Sequence, residues 1–324
     1  MQAEFTSPAA PDPSPPNRFR ALLIAGFASS ILAFTSGCLG VRSHSVPKTV
    51  LAPVLMNATL DQLLAGLNKQ DSAIQTINAT VNITAESGGT RQGQVNEIPT
   101  FAGYIFLRKP GDLHVLMLLP VVRSRALDMV SNGTDFKLLI PPRNLAFVGK
   151  DQMTTAQKTG LYSIRPYIIR DALLIPSPGS DELIALTEDS RILPPVPGRK
   201  EMVEEPDYDL NLFRAKAGNT LQQTRVIHIG SVTLKPYQQD IYDADGHIVT
   251  TVTYDKYQKF GEVDFPSEIV ITRKRDEYKL KIEITKASFN TKLDDEQFVL
   301  NIPETVPVQH VDDPPKAAAA KLAP

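Results

Sequence analysis

Residues Pro99 to Val115 read PTFAGYIFLRKPGDLHV. Phe101 to Leu107 is a run of aromatic, β-branched and small residues that predicts a strand. Lys109-Pro110-Gly111-Asp112 predicts a turn, because Pro presets φ and Gly supplies a positive φ at no steric cost. Leu113 to Leu119 predicts the returning strand, which Pro120 ends because it has no N–H for the ladder. The unit is an antiparallel pair, and the same pattern repeats on both sides of it.

Downstream, Leu127–Val130 and Phe136–Ile140 flank the turn Asn132-Gly133, a strong hairpin signal, and Leu145–Val148 adds a short strand. A second run follows after residue 207. It comprises Leu210–Ala215, Thr224–Ile229, Leu234–Tyr242, Ile248–Tyr254 and Ile269–Thr272. In the next strand, Leu280, Ile282 and Ile284 alternate with Lys279, Lys281 and Glu283, so one face is apolar and one is wet. Phe298, Leu300 and Ile302 predict a last short strand.

Upstream, Thr59 is placed to cap a helix whose stripe is Leu60, Leu63, Leu64 and Leu67. Val81, Ile83 and Ala85 then alternate with polar residues as a strand. Between the two runs, Thr154–Leu174 has helical spacing, with Pro166 placed to start a second helix. Asp181–Asp189 is expected to be a helical turn and Arg191–Asp207 a loop. The fold class is mostly β with α. The expectation is one antiparallel, strongly curved, unclosed barrel of about eleven strands, with helices covering its concave side.

The order of these pieces resembles the lipoprotein-localisation family, the LolA/LolB-like carriers and receptors. The resemblance rests on Pro99–Val115, on MVSNGTDFKLLIPPRN (Met129–Asn144), on FPSEIVITRKRDEYKLKIEITKASFN (Phe265–Asn290) and on LDDEQFVLNIPE (Leu293–Glu304). It implies an unclosed barrel with a helical lid over an apolar cavity that holds acyl chains. One departure is His114, where carriers of the family tend to hold Arg. Leu118-Leu119-Pro120-Val121-Val122 matches the receptor branch's loop with a protruding apolar residue, so Val121 and Val122 are candidates for membrane or partner contact. A turn buried in the core is the competing reading of the same residues.

The N-terminus carries a further signal. Arg18 and Arg20 precede an apolar run, Ala21–Phe34, which is shorter than the roughly 20 residues needed to cross a bilayer. Thr35-Ser36-Gly37 then leads to Cys38, the only cysteine of the chain. This resembles a bacterial lipoprotein signal, cut before Cys38, with the thiol carrying the lipid anchor (palmitate-type acylation). An ordinary signal peptide, or a buried start of the domain with an inert thiol, is the alternative, because the usual Leu three places before the Cys is Thr35. Leu39, in place of Asp, implies by the same resemblance sorting to the outer membrane, facing the periplasm. The expected organisation is a leader at 1–37, a lipidated tether at 38–58, a sheet domain at 59–305 and a disordered tail at 306–324.

Composition narrows the function classes. There are 34 basic and 36 acidic residues, and removal of Arg18, Arg20, Glu4 and Asp12 with the leader keeps the net charge at −2. No basic excess exists for a phosphate backbone, so nucleic acid is not an expected partner. A single cysteine permits no disulfide within the chain. No G-x-S-x-G, H-E-x-x-H, glycine-rich phosphate loop or C-x-x-C occurs, and an enzyme, a cofactor or a metal is not expected. His44, His114, His228, His247 and His310 lack ligand spacing, and His228 is expected as a satisfied core or edge histidine. Asp243-x-Asp245-Gly246 reads as a hairpin turn, not a calcium loop. The expected function is binding of acyl chains or another apolar ligand for lipoprotein or lipid transfer. An envelope scaffold with a filled interior, possessing only protein partners, is the second reading.

Overall fold

The alternation of Leu280, Ile282 and Ile284 is the strand code that organises the molecule. In the computed structural model they lie on β14 (Tyr278–Phe289), buried, with Lys279, Lys281 and Glu283 turned outward. The structure describes residues 44–312 except 47, 53, 153–163, 196, 197 and 199. The leader, Cys38 and residues 313–324 lie outside the described residues.

The first run of strands comprises β2 (Thr76–Gly89), β3 (Gln94–Arg108), β4 (Asp112–Leu118), β5 (Arg125–Asn132), β6 (Asp135–Ile140) and β7 (Leu145–Lys150). The second comprises β8 (Glu182–Leu193), β9 (Met202–Lys216), β10 (Thr220–Gly230), β11 (Pro236–Tyr242), β12 (Ile248–Phe260) and β13 (Val263–Arg273), and β14 completes it. Each strand of a run pairs antiparallel with the next. The runs are joined where β14 lies antiparallel to β2, with Ile282 opposite Ile83. Two short strands run parallel to their neighbours: β1 (Thr49–Leu51) on β9, and β15 (Val308–His310) on β7. Among the described residues fifteen strands form one sheet, whose β1 and β8 pair only with β9 at one end and whose β15 pairs only with β7 at the other, so it is not closed.

Helix α1 (Leu60–Ala73) begins with a capping box: the Gln62 amide donates to Thr59 Oγ1 at 3.3 Å and the Thr59 amide to Gln62 Oε1 at 2.9 Å. Its Leu63 and Leu67 are buried. Helix α2 (Pro166–Leu173) starts on Pro166 and buries Ile168, Ile169, Ala172 and Leu173. Both apolar faces belong to the same core as the inner face of the sheet, whose deepest side chains include Ile77, Ile105, Leu107 and Leu113. Burying each such side chain stabilises the fold by about 1.5–3 kcal/mol.

Five expectations are corrected. Asp181–Asp189 is not a helical turn, and the expected loop Arg191–Asp207 is strand at both ends: Glu182–Leu193 is β8 and β9 begins at Met202, the two paired from Glu182↔Arg214 to Leu193↔Val203. β8 is an edge strand with Leu183 and Ile192 exposed, so backbone pairing holds it rather than an apolar face. The tether 38–58 is fixed at its end, where Thr49–Leu51 pairs with Met202–Glu204. Phe298, Leu300 and Ile302 make no strand. Asp295–Phe298 is a 3-10 turn capped by Asp294, and the segment straps the outer face of the sheet, packing Leu300 on Val130, Leu139 and Ala146. Lastly, Val308–His310 of the supposed disordered tail is the strand β15.

Candidate functional site

The inner face of β2–β6 and β14 is not completely filled. A cavity of about 620 Å³ lies there, under Ile164 and under Ile169 of α2. Its wall alternates out of the strand code: Ile83, Phe101, Met117, Met129, Leu138 and Ile282 all point into it. The volume falls in the range of about 300–1,000 Å³ that suits a small-molecule ligand. The two methionines are flexible and polarizable, which lets a wall adapt to an irregular apolar guest. β4 ends at Leu118 opposite Ala102, so Gln94–Phe101 of β3 runs on without a partner from β4.

Among the described residues, the polar lining is Ser87, Gln92, Asn96 and Arg143. These belong to one end of the sheet. The registers Gly89↔Gln94, Leu118↔Arg125, Ile140↔Leu145 and Arg273↔Tyr278 place the β2–β3, β4–β5, β6–β7 and β13–β14 turns at that same end. The cavity is therefore apolar in its depth and polar toward one rim.

Val121 and Val122 sit on that rim, at the tip of the β4–β5 turn, 97% and 70% exposed. The turn is closed by Leu119 N–H on the Ser124 carbonyl at 2.8 Å and by Arg123 N–H on the Leu119 carbonyl at 3.0 Å. Val121 has φ 67° and Arg123 φ 52°, both left-handed. A β-branched residue there is strained by about 1–3 kcal/mol, the kind of cost found at functional positions. Met117 and Leu127, on the strands leading into and out of this turn, line the cavity.

The other singled-out residues lie elsewhere. Cys38 falls outside the described residues. His114 is on the outer face, at 2.9 Å from Asp128 Oδ1 and 2.6 Å from the Gln297 carbonyl of the strap. His228 is on the outer face of β10, 2.6 Å from Asp209 and 3.3 Å from Asp240. Burial lowers its pKa, but hydrogen bonds with Asp209 and Asp240 outweigh that and raise it to about 9. Asp243 makes a turn, its Oδ1 accepting from the Asp245 and His247 amides at 3.0 and 2.9 Å. The sequence reading missed the Gln92, Asn96 and Arg143 rim, because turn residues carry no periodicity to mark what they face.

Among known proteins, a family model described only as that of an uncharacterized protein matches residues 198–302. No curated protein matches. Three solved structures are similar. A LolA superfamily protein from Nitrosomonas europaea is 13% identical, covers 75% of this chain and 99% of its own, and has a TM-score of 0.45. A DUF1329 family protein from Desulfovibrio piger is 15% identical over 73% of this chain and 94% of its own, with a TM-score of 0.45. A putative outer membrane lipoprotein-sorting protein domain from Vibrio parahaemolyticus is 10% identical over 73% of this chain and 94% of its own, with a TM-score of 0.43.

Proposed function

We propose that this protein is a non-enzymatic carrier or receptor that holds acyl chains, of a lipoprotein or a lipid, in the cavity beneath its sheet. The observation that carries the reading is an apolar cavity of about 620 Å³ whose polar lining is gathered at one rim. Such a space suits an amphiphile lying tail-inward with its head at the rim. Each buried methylene contributes about 0.8 kcal/mol to binding. Val121 and Val122 stand on the same rim, and the proposal gives them the contact with a membrane or with the partner that gives or takes the ligand. Two apolar side chains suffice for a transient touch at the interface, not for anchoring. Anchoring falls to Cys38, and the proposed location is the outer membrane, facing the periplasm.

The test is native mass spectrometry of protein purified from its own envelope, with a fluorescent fatty acid displaced in parallel. A co-purifying acyl species, and binding lost in Met117→Trp, support the carrier. Absence of both in a folded protein favours the envelope scaffold.

A further inference from the structure

The outer face of the second run holds a buried polar cluster that the cavity does not use. On β9, Tyr208, Leu210 and Leu212 point into the core, so Asp207 and Asp209 point outward. On β10, Ile227 and Ile229 point inward and His228 outward, directly opposite Asp209 in the register. The pairing of β10 with β11 shifts between His228 and Ile229. That bulge re-aims Tyr237, whose hydroxyl donates to Asp207 Oδ2 and whose ring lies 5.8 Å from that of His228. The Arg191 guanidinium covers Tyr237 at 3.6 Å from the ring centre.

Two features of this cluster ask for a cation. First, Asp207 is only 3% exposed, and its Oδ1 is buried with no hydrogen-bond partner. A buried carboxylate oxygen left unpaired is costly and needs compensation. Second, the charges do not balance. Asp207, Asp209, Asp240 and Glu205 face Arg191 and His228, and Arg191 is already committed to Glu205 at 2.6 Å.

We propose that Asp207, Asp209 and His228 form a binding site for a divalent first-row metal ion. One ligand atom from each lies within 4.8 Å of the others, so small side-chain shifts that part His228 from its hydrogen bond with Asp209 would let all three reach one ion at the usual bond lengths of about 2.0–2.2 Å. Two carboxylates and one imidazole without sulfur suit zinc or manganese rather than a thiophilic ion. The surroundings supply the outer support such sites carry. His228 donates Nδ1–H to Asp209 Oδ1 at 2.6 Å and Nε2–H to Asp240 Oδ2 at 3.3 Å, so a bound ion would displace the Nδ1 proton to solvent and leave Nε2–H on Asp240. Asp240 is itself held by the Thr251 hydroxyl at 2.6 Å and the Gln238 amide at 2.9 Å. A carboxylate behind a ligating histidine fixes its tautomer and strengthens the bond. Because the ligands come from two strands, and the carboxylate behind them from a third, a bound ion would staple β9, β10 and β11 together on the face opposite the cavity core.

The experiment is calorimetric titration of the full chain with Zn²⁺ after chelator treatment, with metal content measured on the dialysed product. The exposed group Asp243, Asp245 and His247 is the competing site. One ion per chain is expected, with a raised melting temperature. Asp209→Asn and His228→Gln should abolish the tight phase, and Asp240→Asn should weaken it about 10–100-fold. The double variant Asp243→Asn with His247→Gln should leave it intact. Circular dichroism checks the fold, and Asp207→Asn, which keeps the Tyr237 contact, replaces any variant that does not fold. Absence of stoichiometric binding, survival of tight binding in folded Asp209→Asn, or its loss in the Asp243/His247 variant overturns the proposal.

Discussion

Ile83 of β2 and Ile282 of β14 stand opposite each other across the ladder that joins the two runs of strands, and both also face the cavity. One pair thus serves the continuity of the sheet and the wall of the cavity. Shortening Ile282 to Ala should destabilise the protein by about 2–5 kcal/mol, by lost burial and by void. Met117→Trp should instead fill existing space and remove ligand binding at a smaller cost. Urea melts beside fatty-acid titrations separate the two. Equal destabilisation by both would mean that the cavity wall has no room to receive a larger side chain.

The β4–β5 turn should show a trade between stability and contact. Val121→Gly relieves a left-handed φ that Gly adopts freely, and should raise stability or leave it unchanged. The charged pair Val121→Glu with Val122→Glu should change stability by no more than about 0.5 kcal/mol, because both side chains are exposed. Each should reduce binding to liposomes or to the transfer partner. Thermal melting and vesicle flotation read the two quantities, and unchanged flotation would remove the turn from the proposed function.

Cys38→Ser should convert a membrane-fractionating protein into an unanchored one, because a serine cannot form the thioether. A single acyl chain holds a protein only marginally, so the full lipid modification is required for retention. Cell fractionation decides it: equal soluble fractions for wild type and variant would exclude the lipid anchor.

Asp71 should make the fold acid-sensitive at the end of α1. Burial pushes its carboxyl up, but hydrogen bonds from Lys109 and Ser177 outweigh this and hold its pKa below the ordinary 3.8. A carboxylate with a depressed folded-state pKa stabilises the fold above its unfolded value. That stability is lost as pH falls through the folded value. Wild type should therefore lose stability between about pH 5 and pH 2 with a steeper slope than Asp71→Asn. Coincident acid limbs in urea melts would show that the Lys109 and Ser177 contacts do not matter to folding.

Legibility of this fold tracked the physical source of each element's stability. The α1 cap, the Asn132-Gly133 hairpin and the alternation of Leu280, Ile282 and Ile284 are local signals, and each sits where the chain says it does. β8 was illegible because its order comes from the partner β9, while Leu183 and Ile192 remain in water. Leu300 has the spacing of a strand residue, yet it packs as one member of a strap, since alternation says that a face is covered and not by what. The cavity was legible only as a consequence of resemblance, because its wall is shared by side chains of six strands and α2, which no single segment specifies. The Asp207, Asp209 and His228 cluster depends on which residue of β10 falls opposite Asp209, and register between strands is not written in either strand alone.

The strap has a consequence in time. Leu300 and Ile302 cover Val130, Leu139 and Ala146, and β15 covers the edge of β7. A chain emerging from its N-terminus presents those apolar side chains and that open edge long before their cover exists. Pairing of β2 with β14 is postponed in the same way, since its partner is nearly the last strand made. Such exposed edges and late non-local contacts are where nascent chains aggregate. Between the release of Lys150 and that of His310 these surfaces stand uncovered, and a chain stopped short of residue 300 would never cover them.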